Sequence, residues 1–406
     1  MNNNFMEVLE KEFYGEVILD KEKIKEASRQ LYNISPYLRK LKRDADALFI
    51  PKDEESISLL LKMCEKYDVP VIPFGGKSGT LGQTLPIHGG VMIDMNRISG
   101  KPLVDKDSVL LKPGNKVIDV LKKLRRYGKE LMVYPSSFYV ATIGGYIGAG
   151  NVGIGAFQHG YFYHKALVTT KILSPRGERT LNNVLGVAQA AGTTGIVTEA
   201  EFRTVDIDDW KEQIISCDDL TCLIRVINYL YENVKLTRRV TIEDKETFEK
   251  VTGIEGKRWN VIISSRLELG TIINKIFDKI AFAAIYVYFY KKKIYKDYHY
   301  EAMLMDVKDF IKISDELKTI LGGKIMIHGD LMNIKESKRI VYAVFMSERS
   351  SFDIIMERLK YNGYYYNLHS YQINDYHEDP EVIREIIKLK REVDPKDILN
   401  RGKLRY

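Results

Sequence analysis

The spacing of apolar and polar residues divides the first half of the chain into short elements. Residues 1–50 have apolar positions at helical spacing with a break at Pro36, and they are predicted to be helical. Residues 47–76 have the pattern strand, turn, helix, strand, and the carboxylates at 53–55 suit the first turn of that helix. Further strands, a helix that ends near Gly128 and a hairpin are predicted at residues 89–98, 108–114, 116–130, 166–181 and 195–205.

The pattern changes after residue 206, where glycine becomes sparse and longer strands and helices alternate. Strand patterns occur at residues 212–217, 235–243, 259–268, 283–295, 324–330 and 341–347, and helical patterns at 220–234, 351–363 and 381–393. Such units predict an antiparallel sheet that is covered by helices. We therefore predict an α+β protein with a first domain at residues 1–206, a second domain at 207–375 and a C-terminal segment at 376–406.

Two glycine-rich segments lie in the first domain. Residues 69–82 read VPVIPFGGKSGTLG, and residues 141–160 read ATIGGYIGAGNVGIGAFQHG. Because glycine has no Cβ, the backbone N–H groups of such segments can point at a ligand from close range. The two segments together predict a long anionic cofactor that is held by main-chain groups.

Two motifs inside these segments have the wrong context for the function that they suggest. Residues 76–78, GKS, resemble the end of an ATP-binding P-loop, but Val71 stands where that motif needs its first glycine. Residues 148–153, GAGNVG, have the spacing of a nicotinamide-binding loop, but no helical pattern follows them. Neither an ATPase nor a nicotinamide-dependent enzyme is therefore predicted.

Composition narrows the class of protein. The chain has 406 residues, 45% of them hydrophobic and 29% charged, which is typical of a globular protein with two domains. No apolar run has the length that spans a membrane, and the N-terminus does not resemble a signal peptide. The net charge of +7 favours a solvated basic face over contact with anionic substrates or a membrane surface. The chain has no basic cluster with interleaved aromatic residues, so nucleic-acid binding is not predicted.

The cysteines indicate the expected compartment. Cys64, Cys217 and Cys222 form no C-x-x-C motif, so neither an iron–sulfur cluster nor a zinc ribbon is predicted. A cytoplasmic location is the expectation for so few cysteines. The abundance of Lys, Ile and Tyr resembles a thermophile composition.

Six segments, in order, resemble the FAD-linked oxidoreductases of the vanillyl-alcohol oxidase / p-cresol methylhydroxylase superfamily, and in particular the branch of D-lactate dehydrogenase and glycolate oxidase flavoprotein subunits. They are IPKDEESISLLLKMCEKYDVPVIPFGGKSGTLGQ, HGGVMIDMNRI, YPSSFYVATIGGYIGAGNVGIG, FQHGYFYHKALVTTKILSPRGE, GTTGIVTEAEFR and DPKDILNRGK, where Arg401 replaces a proline. The resemblance implies a two-part FAD-binding domain, an α+β cap domain with an antiparallel sheet, and a tail that returns to the FAD domain.

The resemblance also implies which residues hold FAD. The pyrophosphate is expected against the backbone amides of residues 74–80 and 142–145, and residues 196 and 197 are expected near the flavin or its ribityl chain. In the alternative interpretation, some of the glycines only permit tight turns. The residues expected to contact FAD are Phe74, Gly75, Gly76, Lys77, Ser78, Gly79, Thr80, Pro135, Ser136, Thr142, Gly144, Gly145, Ala149, Gly150, Asn151, Gly153, Gly155, Ile196 and Val197.

The chain departs from the family pattern in both glycine segments. Residues 148–153 replace A-T-N-A-G-G, so a threonine hydroxyl contact is lost. Relatives with covalently bound flavin have a histidine in the first segment, whereas Lys77 and Ser78 stand there in this chain. FAD is therefore expected to be non-covalent, and His88 is expected to be a surface or hairpin residue.

The resembling branch has two histidine motifs in its cap domain. The nearest segments here are IMIHGDLMN, with His328, Asp330 and Asn333, and NLHSYQ, with His369, and both lack residues of the family pattern. In relatives these motifs bind a divalent metal that holds a 2-hydroxy acid. Two histidines without the carboxylate make a poorer site, so no metal ligands are assigned, although a divalent metal stays open. The alternative is that both histidines only cap strands.

The resemblance implies hydride transfer from a substrate C–H bond to N5 of the flavin. His369 or His328 suits the base that takes the hydroxyl proton, because imidazole titrates near neutral pH. Arg266 is the residue expected to anchor the substrate carboxylate, because a guanidinium group binds carboxylates through two parallel hydrogen bonds.

The leading hypothesis is an FAD-dependent dehydrogenase or oxidase of a small D-2-hydroxy acid, such as lactate or glycolate. A sugar, alditol or lactone oxidoreductase of the same superfamily is a second hypothesis, and a flavin subunit of a larger redox complex is a third. The expected electron acceptor is a quinone, a dye-like carrier, oxygen or an iron–sulfur partner subunit. A homo-oligomer or a subunit of a complex is expected, and peripheral contact with a membrane stays open.

Overall fold

The computed structural model of the chain describes residues 5, 15–30, 32, 35–41, 43–150, 152–273, 298–335, 338–377 and 379–406. The strand predicted at residues 283–295 lies outside these residues, as does most of the pattern at residues 1–14. No helix in the described part of the chain is long and apolar enough to cross a membrane.

A small, mostly parallel sheet begins the first domain. Its strands are β1 (Gly15–Ile18), β2 (Ala47–Pro51), β3 (Val71–Phe74) and β4 (Val91–Asp94), in the order β1-β2-β4-β3. β2 and β3 run parallel to β4, whereas β1 is antiparallel to β2. The helix predicted over residues 15–18 is therefore wrong, because this segment pairs with β2 instead; the helix that does form in this region is α1 (Lys21–Ser28).

The helix predicted between β2 and β3 is confirmed as α2 (Glu54–Tyr67). The side chains of Asp53 and Ser56 each bond to the other's backbone N–H, which closes a capping box at its start. The apolar side of α2 packs into the core of the small sheet. The return strand β3 ends at Phe74, so the first glycine segment leaves the sheet at the carboxyl edge of β3.

A second, antiparallel sheet completes the first domain. Its strands are β5 (Leu103–Val104), β6 (Ser108–Leu111), β7 (Lys129–Leu131), β10 (Leu167–Ser174), β11 (Gly177–Leu181) and β12 (Ile196–Asp206). The order is β11-β10-β12-β6-β5, and β7 pairs with the end of β12. The connecting elements are α3 (Val117–Arg125), β8 (Tyr134–Pro135), α4 (Ile143–Ala149), β9 (Gly153–Ile154), α5 (Ala156–His159) and α6 (Phe162–Lys165). The predicted hairpin at residues 166–181 is confirmed by the pairing of β10 with β11.

The cap part of the chain is built on one antiparallel sheet of eight described strands. They are β13 (Lys211–Cys217), β14 (Thr237–Asp244), β15 (Trp259–Ser265), β16 (Thr271–Ile272), β17 (Tyr298–Asp306), β18 (Ile325–Lys335), β19 (Lys338–Glu348) and β20 (Tyr364–Tyr365). The order is β16-β13-β15-β14-β18-β19-β17-β20. The helices that connect them are α7 (Leu220–Glu232), α8 (Lys245–Thr252), α9 (Val307–Leu321) and α10 (Arg349–Leu359).

Side chains alternate along each strand, so this sheet has two faces with different partners. On the outer face, Ile242, Ile327 and Phe345 pack in one core with residues of α7, α9 and α10. On the inner face, Met332 and Tyr342 belong to the core that also contains first-domain residues. A polar residue at an inner position therefore lies between the two parts of the chain.

The tail returns to the first domain. After α11 (Pro380–Val393), residue Leu399 forms a parallel bridge with Val71 of β3, and Asn400 donates its side-chain amide to the carbonyl oxygens of Gln83 and Ala191. The tail thus supports the loops that follow β3. Elsewhere, Cys217 and Cys222 form a disulfide between the end of β13 and the first turn of α7, and Cys64 is a buried free thiol.

Candidate functional site

A cavity of about 260 Å³ lies between the glycine segments and the inner face of the cap sheet. It is lined by both parts of the chain, since His328, Asp330 and Tyr342 of the cap share it with the first domain. The sequence-predicted FAD residues that line it are Phe74, Gly75, Gly76, Lys77, Ser78, Gly79, Thr80, Pro135, Ser136, Thr142, Gly144, Gly145, Ala149, Gly150, Ile196 and Val197. The structure therefore brings most of the predicted FAD residues to one cavity.

The first glycine segment presents unused backbone donors to this cavity. None of the hydrogen bonds found among the described residues is donated by the amides of residues 76–80. Glycine is required at residue 76, because a Cβ there would lie 1.8 Å from the carbonyl oxygen of Val140. Lys77 adopts a left-handed conformation with φ of 51°, which turns the backbone through the loop. Five consecutive amides without internal acceptors fit a bound anion such as a pyrophosphate.

The second glycine segment differs from the loop that was predicted. Residues 143–149 form α4, with Thr142 as its N-cap. The amide of Ile143 donates to Asn115, that of Gly144 to Pro113, and that of Gly145 to the Thr142 hydroxyl. The amides of residues 143–145 thus already have acceptors, whereas no hydrogen bond in the described part of the chain is donated by the amide of Thr142, and the expected contact of residues 142–145 with the pyrophosphate stays a prediction.

Two serines supply donors on this side of the cavity instead. The described residues include no hydrogen bond donated by the amides of Ser136 or Ser137, and both residues line the cavity. The hydroxyl of Ser137 donates to the hydroxyl of Ser78 over 3.4 Å, which joins the two loops. Ser137 was missing from the predicted set, although it follows Ser136 directly in the P-S-S sequence.

Two predicted FAD residues, Gly153 and Gly155, do not line this cavity. Gly153 lies in β9 opposite Pro135, and a Cβ there would lie 2.2 Å from the carbonyl oxygen of Tyr134. Gly155 has φ of 97°, and a Cβ there would lie 2.1 Å from the carbonyl oxygen of Met132. Both glycines therefore allow close backbone packing. Asn151 lies outside the described residues.

Lys77 directs its charge away from an incoming anion. Its ammonium group donates to the carbonyl oxygens of Glu26 and Ala27 at the end of α1 and lies 4.5 Å from the centre of the Phe74 ring. Burial lowers the pKa of Lys77 to about 8, although Asp94 and Glu26 partly oppose this effect. Lys77 thus ties α1 to the first glycine segment.

On the cap side, a charged cluster forms where β14 and β18 pair. Because Thr241 is opposite Asp330 and Glu243 is opposite His328, these four side chains lie side by side on the inner face. Nδ1 of His328 lies 2.9 Å from Glu243, and Nε2 lies 3.2 Å from Asp330. The Thr241 hydroxyl donates to Asp330 over 2.5 Å and accepts from Nε of Arg239 over 3.1 Å. We call these five residues the His328 cluster.

The two carboxylates keep the imidazole of His328 protonated. Burial alone would lower the pKa of His328, but Asp330 and Glu243 outweigh it and raise the pKa to about 10. Burial alone would raise the pKa of Asp330, but His328, with Arg239, holds it at about 2. At neutral pH the cavity therefore faces an imidazolium beside a carboxylate. This charge state does not suit a base, because a protonated ring has no lone pair to accept a proton, and the role of His328 as the base stays a prediction.

The other two predicted catalytic residues lie elsewhere. His369 is not among the residues that line the cavity, although Leu368 is. Its Nδ1 lies 3.0 Å from the Ser35 hydroxyl and its Nε2 lies 3.3 Å from the carbonyl oxygen of Tyr300, and burial lowers its pKa. Its ring thus connects the N-terminal region to β17.

Arg266 follows β15 at the margin of the cap sheet, and 42% of its side chain is exposed. Its guanidinium pairs with Asp208 over 3.0 Å and does not line the cavity. The expectation that Arg266 anchors a substrate is therefore wrong. The described residues contain no group of three or more His, Cys, Asp or Glu side chains that could hold a metal ion.

Sequence reasoning missed Thr241, Glu243 and Arg239, which complete the His328 cluster. Their signal was present in TRRVTIED, where polar residues alternate with Val240 and Ile242 along a strand. In a sheet with one face on helices, such alternation predicts a polar inner face. It does not predict that the face borders a cavity.

A second buried cluster lies on the same face and is closed to the cavity. Arg238 donates to Glu130 of β7 and to Glu212 of β13, both over 2.8 Å, and to the hydroxyl of Ser264 over 2.7 Å. The indole of Trp210 also donates to Glu130, over 2.7 Å. We call these residues the Arg238 cluster, and it links the cap sheet to the first domain.

Comparison with known proteins identifies the first domain. Residues 45–181 match the family described as "FAD binding domain". The chain is 30% identical over 173 residues to the mitochondrial D-lactate dehydrogenase [cytochrome] of Arabidopsis thaliana. These residues cover 39% of this chain and 30% of the relative. It is 24% identical over 202 residues to the glycolate oxidase subunit GlcD of Bacillus subtilis (strain 168), which is 47% of this chain and 40% of the relative. The chain thus matches less than half of the length of these relatives.

Two solved structures share the fold over nearly the whole chain. An alkyldihydroxyacetonephosphate synthase aligns with a TM-score of 0.70 at 16% identity, and the alignment covers 98% of this chain and 85% of the other. The 6-hydroxy-D-nicotine oxidase of Arthrobacter nicotinovorans aligns with a TM-score of 0.67 at 12% identity and covers 95% and 96%. The predicted α+β class with an FAD-binding domain and a cap is confirmed, and FAD is the cofactor.

Proposed function

We propose that this chain, which carries an FAD-binding domain of the p-cresol methylhydroxylase type, is an oxidoreductase that removes a hydride from the alcohol carbon of a small D-2-hydroxy acid. The observation that supports this proposal most is the His328–Asp330 pair, which lines the same cavity as the unused amides of residues 76–80. Relatives named D-lactate dehydrogenase and glycolate oxidase support the substrate class.

The charge pair is complementary to a 2-hydroxy acid. The imidazolium of His328 would attract the substrate carboxylate, and the ionised carboxylate of Asp330 would accept the hydroxyl proton. Asp330 is the more accessible of the two, with 24% of its side chain exposed against 6% for His328. Tyr342, Tyr366 and Leu368 line the cavity around this pair and would limit the entry of water. When bound, FAD would supply the hydride acceptor at N5.

A neutral sugar or alditol is a second candidate substrate, and one observation favours it. No arginine is among the described residues that line the cavity, and Asp330, at 24% side-chain exposure, is more exposed than His328, at 6%. A carboxylate accepts a hydrogen bond from a neutral hydroxyl group, whereas it repels a second carboxylate of like charge. The two candidates thus differ in whether His328 or Asp330 dominates recognition.

The proposal extends to the partners of the enzyme. The electrons are passed to an acceptor other than nicotinamide, such as a quinone, a dye-like carrier or an iron–sulfur subunit. The chain acts as a homo-oligomer or as a subunit of a complex in the cytoplasm. Peripheral contact with a membrane stays an option.

The test is an anaerobic substrate panel on the FAD-loaded chain, followed through the flavin absorbance near 450 nm, about where oxidised flavins absorb. D-lactate or glycolate is expected to bleach the flavin, with L-lactate as the stereochemical control. Bleaching by an alditol or sugar alone would replace the hydroxy-acid proposal with the second candidate. If no substrate bleaches the flavin while dithionite does, the chain is a flavin subunit that needs a partner.

A further inference from the structure

Glu243 has an unusual position within the His328 cluster. Its side chain is 2% exposed, and one of its oxygens accepts from Nδ1 of His328 over 2.9 Å. Its second oxygen is buried and has no hydrogen-bond partner in the described part of the chain. A buried carboxylate needs a nearby positive charge, and the ion pair found for Glu243 is the one with His328.

The groups around His328 divide between its two nitrogens. Asp330 of β18 faces Nε2, and Glu243 of β14 faces Nδ1. Arg239 lies 4.0 Å from Asp330, and the Thr241 hydroxyl donates to the same carboxylate. Tyr342 of β19 is opposite Asp330 in the sheet. The ring is therefore fixed by Glu243 at the back and by Asp330 at the cavity.

We infer that Glu243 is the positioning residue of the site: it accepts a hydrogen bond from Nδ1 of His328 over 2.9 Å and so directs Nε2 of the ring at Asp330 and the cavity. Without Glu243 the ring would be free to rotate about its side-chain bonds or to lose its Nδ1 proton. Rotation of the ring would take the Nε2–H donor away from Asp330, whereas loss of the Nδ1 proton would leave that donor in place but remove the positive charge that attracts an anionic substrate. The orientation of the His328 ring does not depend on a substrate. Only the expected effect on the rate of flavin reduction rests on the proposed function.

The test compares Glu243→Gln with Glu212→Gln. Both substitutions keep the side-chain shape and remove one buried, ion-paired carboxylate from the inner face, but Glu212 belongs to the Arg238 cluster. The first measurement is the ¹⁵N spectrum of histidine-labelled protein as a function of pH, with His328→Asn used to assign the signal. The wild type and Glu212→Gln are expected to keep the His328 ring doubly protonated at neutral pH, whereas Glu243→Gln is expected to lose this signal.

The second measurement is the rate of flavin reduction by the best substrate of the panel. We expect Glu243→Gln to lower kcat by roughly tenfold or more, as for other carboxylates that orient an imidazole, and to move its pH profile. Glu212→Gln is expected to leave the profile unchanged. If Glu243→Gln does not fold, Glu243→Asp is used instead, since it keeps the carboxylate but places it farther from His328. This variant is expected to lower the ¹⁵N signal of the doubly protonated ring and the rate of flavin reduction only partially.

Unchanged His328 signals in Glu243→Gln or, if that variant does not fold, in Glu243→Asp would overturn the inference, as would an equal change in Glu212→Gln. A failure of the proposed function gives a different result. In that case no substrate would reduce the wild-type flavin, but the ¹⁵N spectra of Glu243→Gln and Glu212→Gln would still differ.

Discussion

Arg238 and Arg239 are neighbours in the chain, yet they belong to two different buried clusters. The register of β14 shifts between Thr237 and Arg239, and such a bulge lets both arginines serve the inner face of the cap sheet. Arg238 reaches Glu130 across the contact with the first domain. Arg239 reaches Thr241 and approaches Asp330 at the cavity.

The clusters differ in what surrounds their charges. In the Arg238 cluster, the guanidinium binds two carboxylates whose side chains are 6% and 9% exposed, and no member lines the cavity. In the His328 cluster, Asp330 is 24% exposed and borders the cavity. The two clusters therefore differ in access to the cavity, which only the His328 cluster has, through Asp330. We expect the first cluster to determine stability and the second to determine activity.

Replacement of the central arginine should have the largest effect. Arg238→Met leaves Glu130 and Glu212 buried without their cation, and we expect the free energy of unfolding to fall by about 3–5 kcal/mol. Urea denaturation followed by circular dichroism measures this change. The triple variant with Glu130→Gln and Glu212→Gln should recover part of the loss. No recovery would mean that Arg238 acts through packing rather than charge.

Replacement of Asp330 should separate activity from stability. Asp330→Asn keeps the shape of the side chain but removes the proton acceptor, so flavin reduction should slow by at least about 10²-fold. The urea midpoint should fall less than in Arg238→Met, because Asp330 is partly exposed, and the FAD content should stay near that of the wild type. Stopped-flow absorbance measures the rate. A stable variant that retains the wild-type rate would remove Asp330 from the proposed chemistry.

The pH dependence should identify the His328–Asp330 pair. The pKa of His328 is raised from 6.5 to about 10, so its contribution to stability is complete below the unfolded value and is lost as pH rises through about 10. The pKa of Asp330 is lowered from 3.8 to about 2, so its contribution is lost as pH falls through about 2.

The difference in unfolding free energy between the wild type and His328→Gln, measured by urea denaturation from about pH 3 to about pH 11, should thus shrink at the alkaline end. Arg238→Met serves as the reference, since an arginine does not titrate in this range. A difference that already disappears near neutral pH would mean that His328 is an ordinary neutral histidine.

An exposed pair gives the smallest expected effect and a baseline for both clusters. Arg266→Ala breaks the ion pair with Asp208, and we expect less than about 1 kcal/mol in stability and no change in substrate affinity. Thermal unfolding and the KM for the best substrate are the measurements. A large rise in KM would mean that Arg266 contacts the substrate after all.

Particular residues explain which predictions succeeded and which were incomplete. The glycine segment at residues 69–82 indicates an anion site because the missing Cβ is a local property. The predicted base His328 came to the cavity, but its charge state depends on Glu243, which is 85 positions away in sequence. The helical start at Thr142 was missed because its glycines suggested a loop. The first two amides of α4 donate to the carbonyl oxygens of Asn115 and Pro113, which lie outside the helix.

The sequence by itself determined many of the elements, the α+β class and the position of the first glycine segment, because periodicity and missing side chains act over a few residues. Only the tertiary structure decided which donors remain unused and which buried charges face a cavity. Those properties depend on pairs such as Glu243 with His328 and Arg238 with Glu130, which are adjacent in space but distant in the chain. Electrostatic interactions act through distance in space, so the pairing of the strands had to be known before the roles of these residues could be assigned.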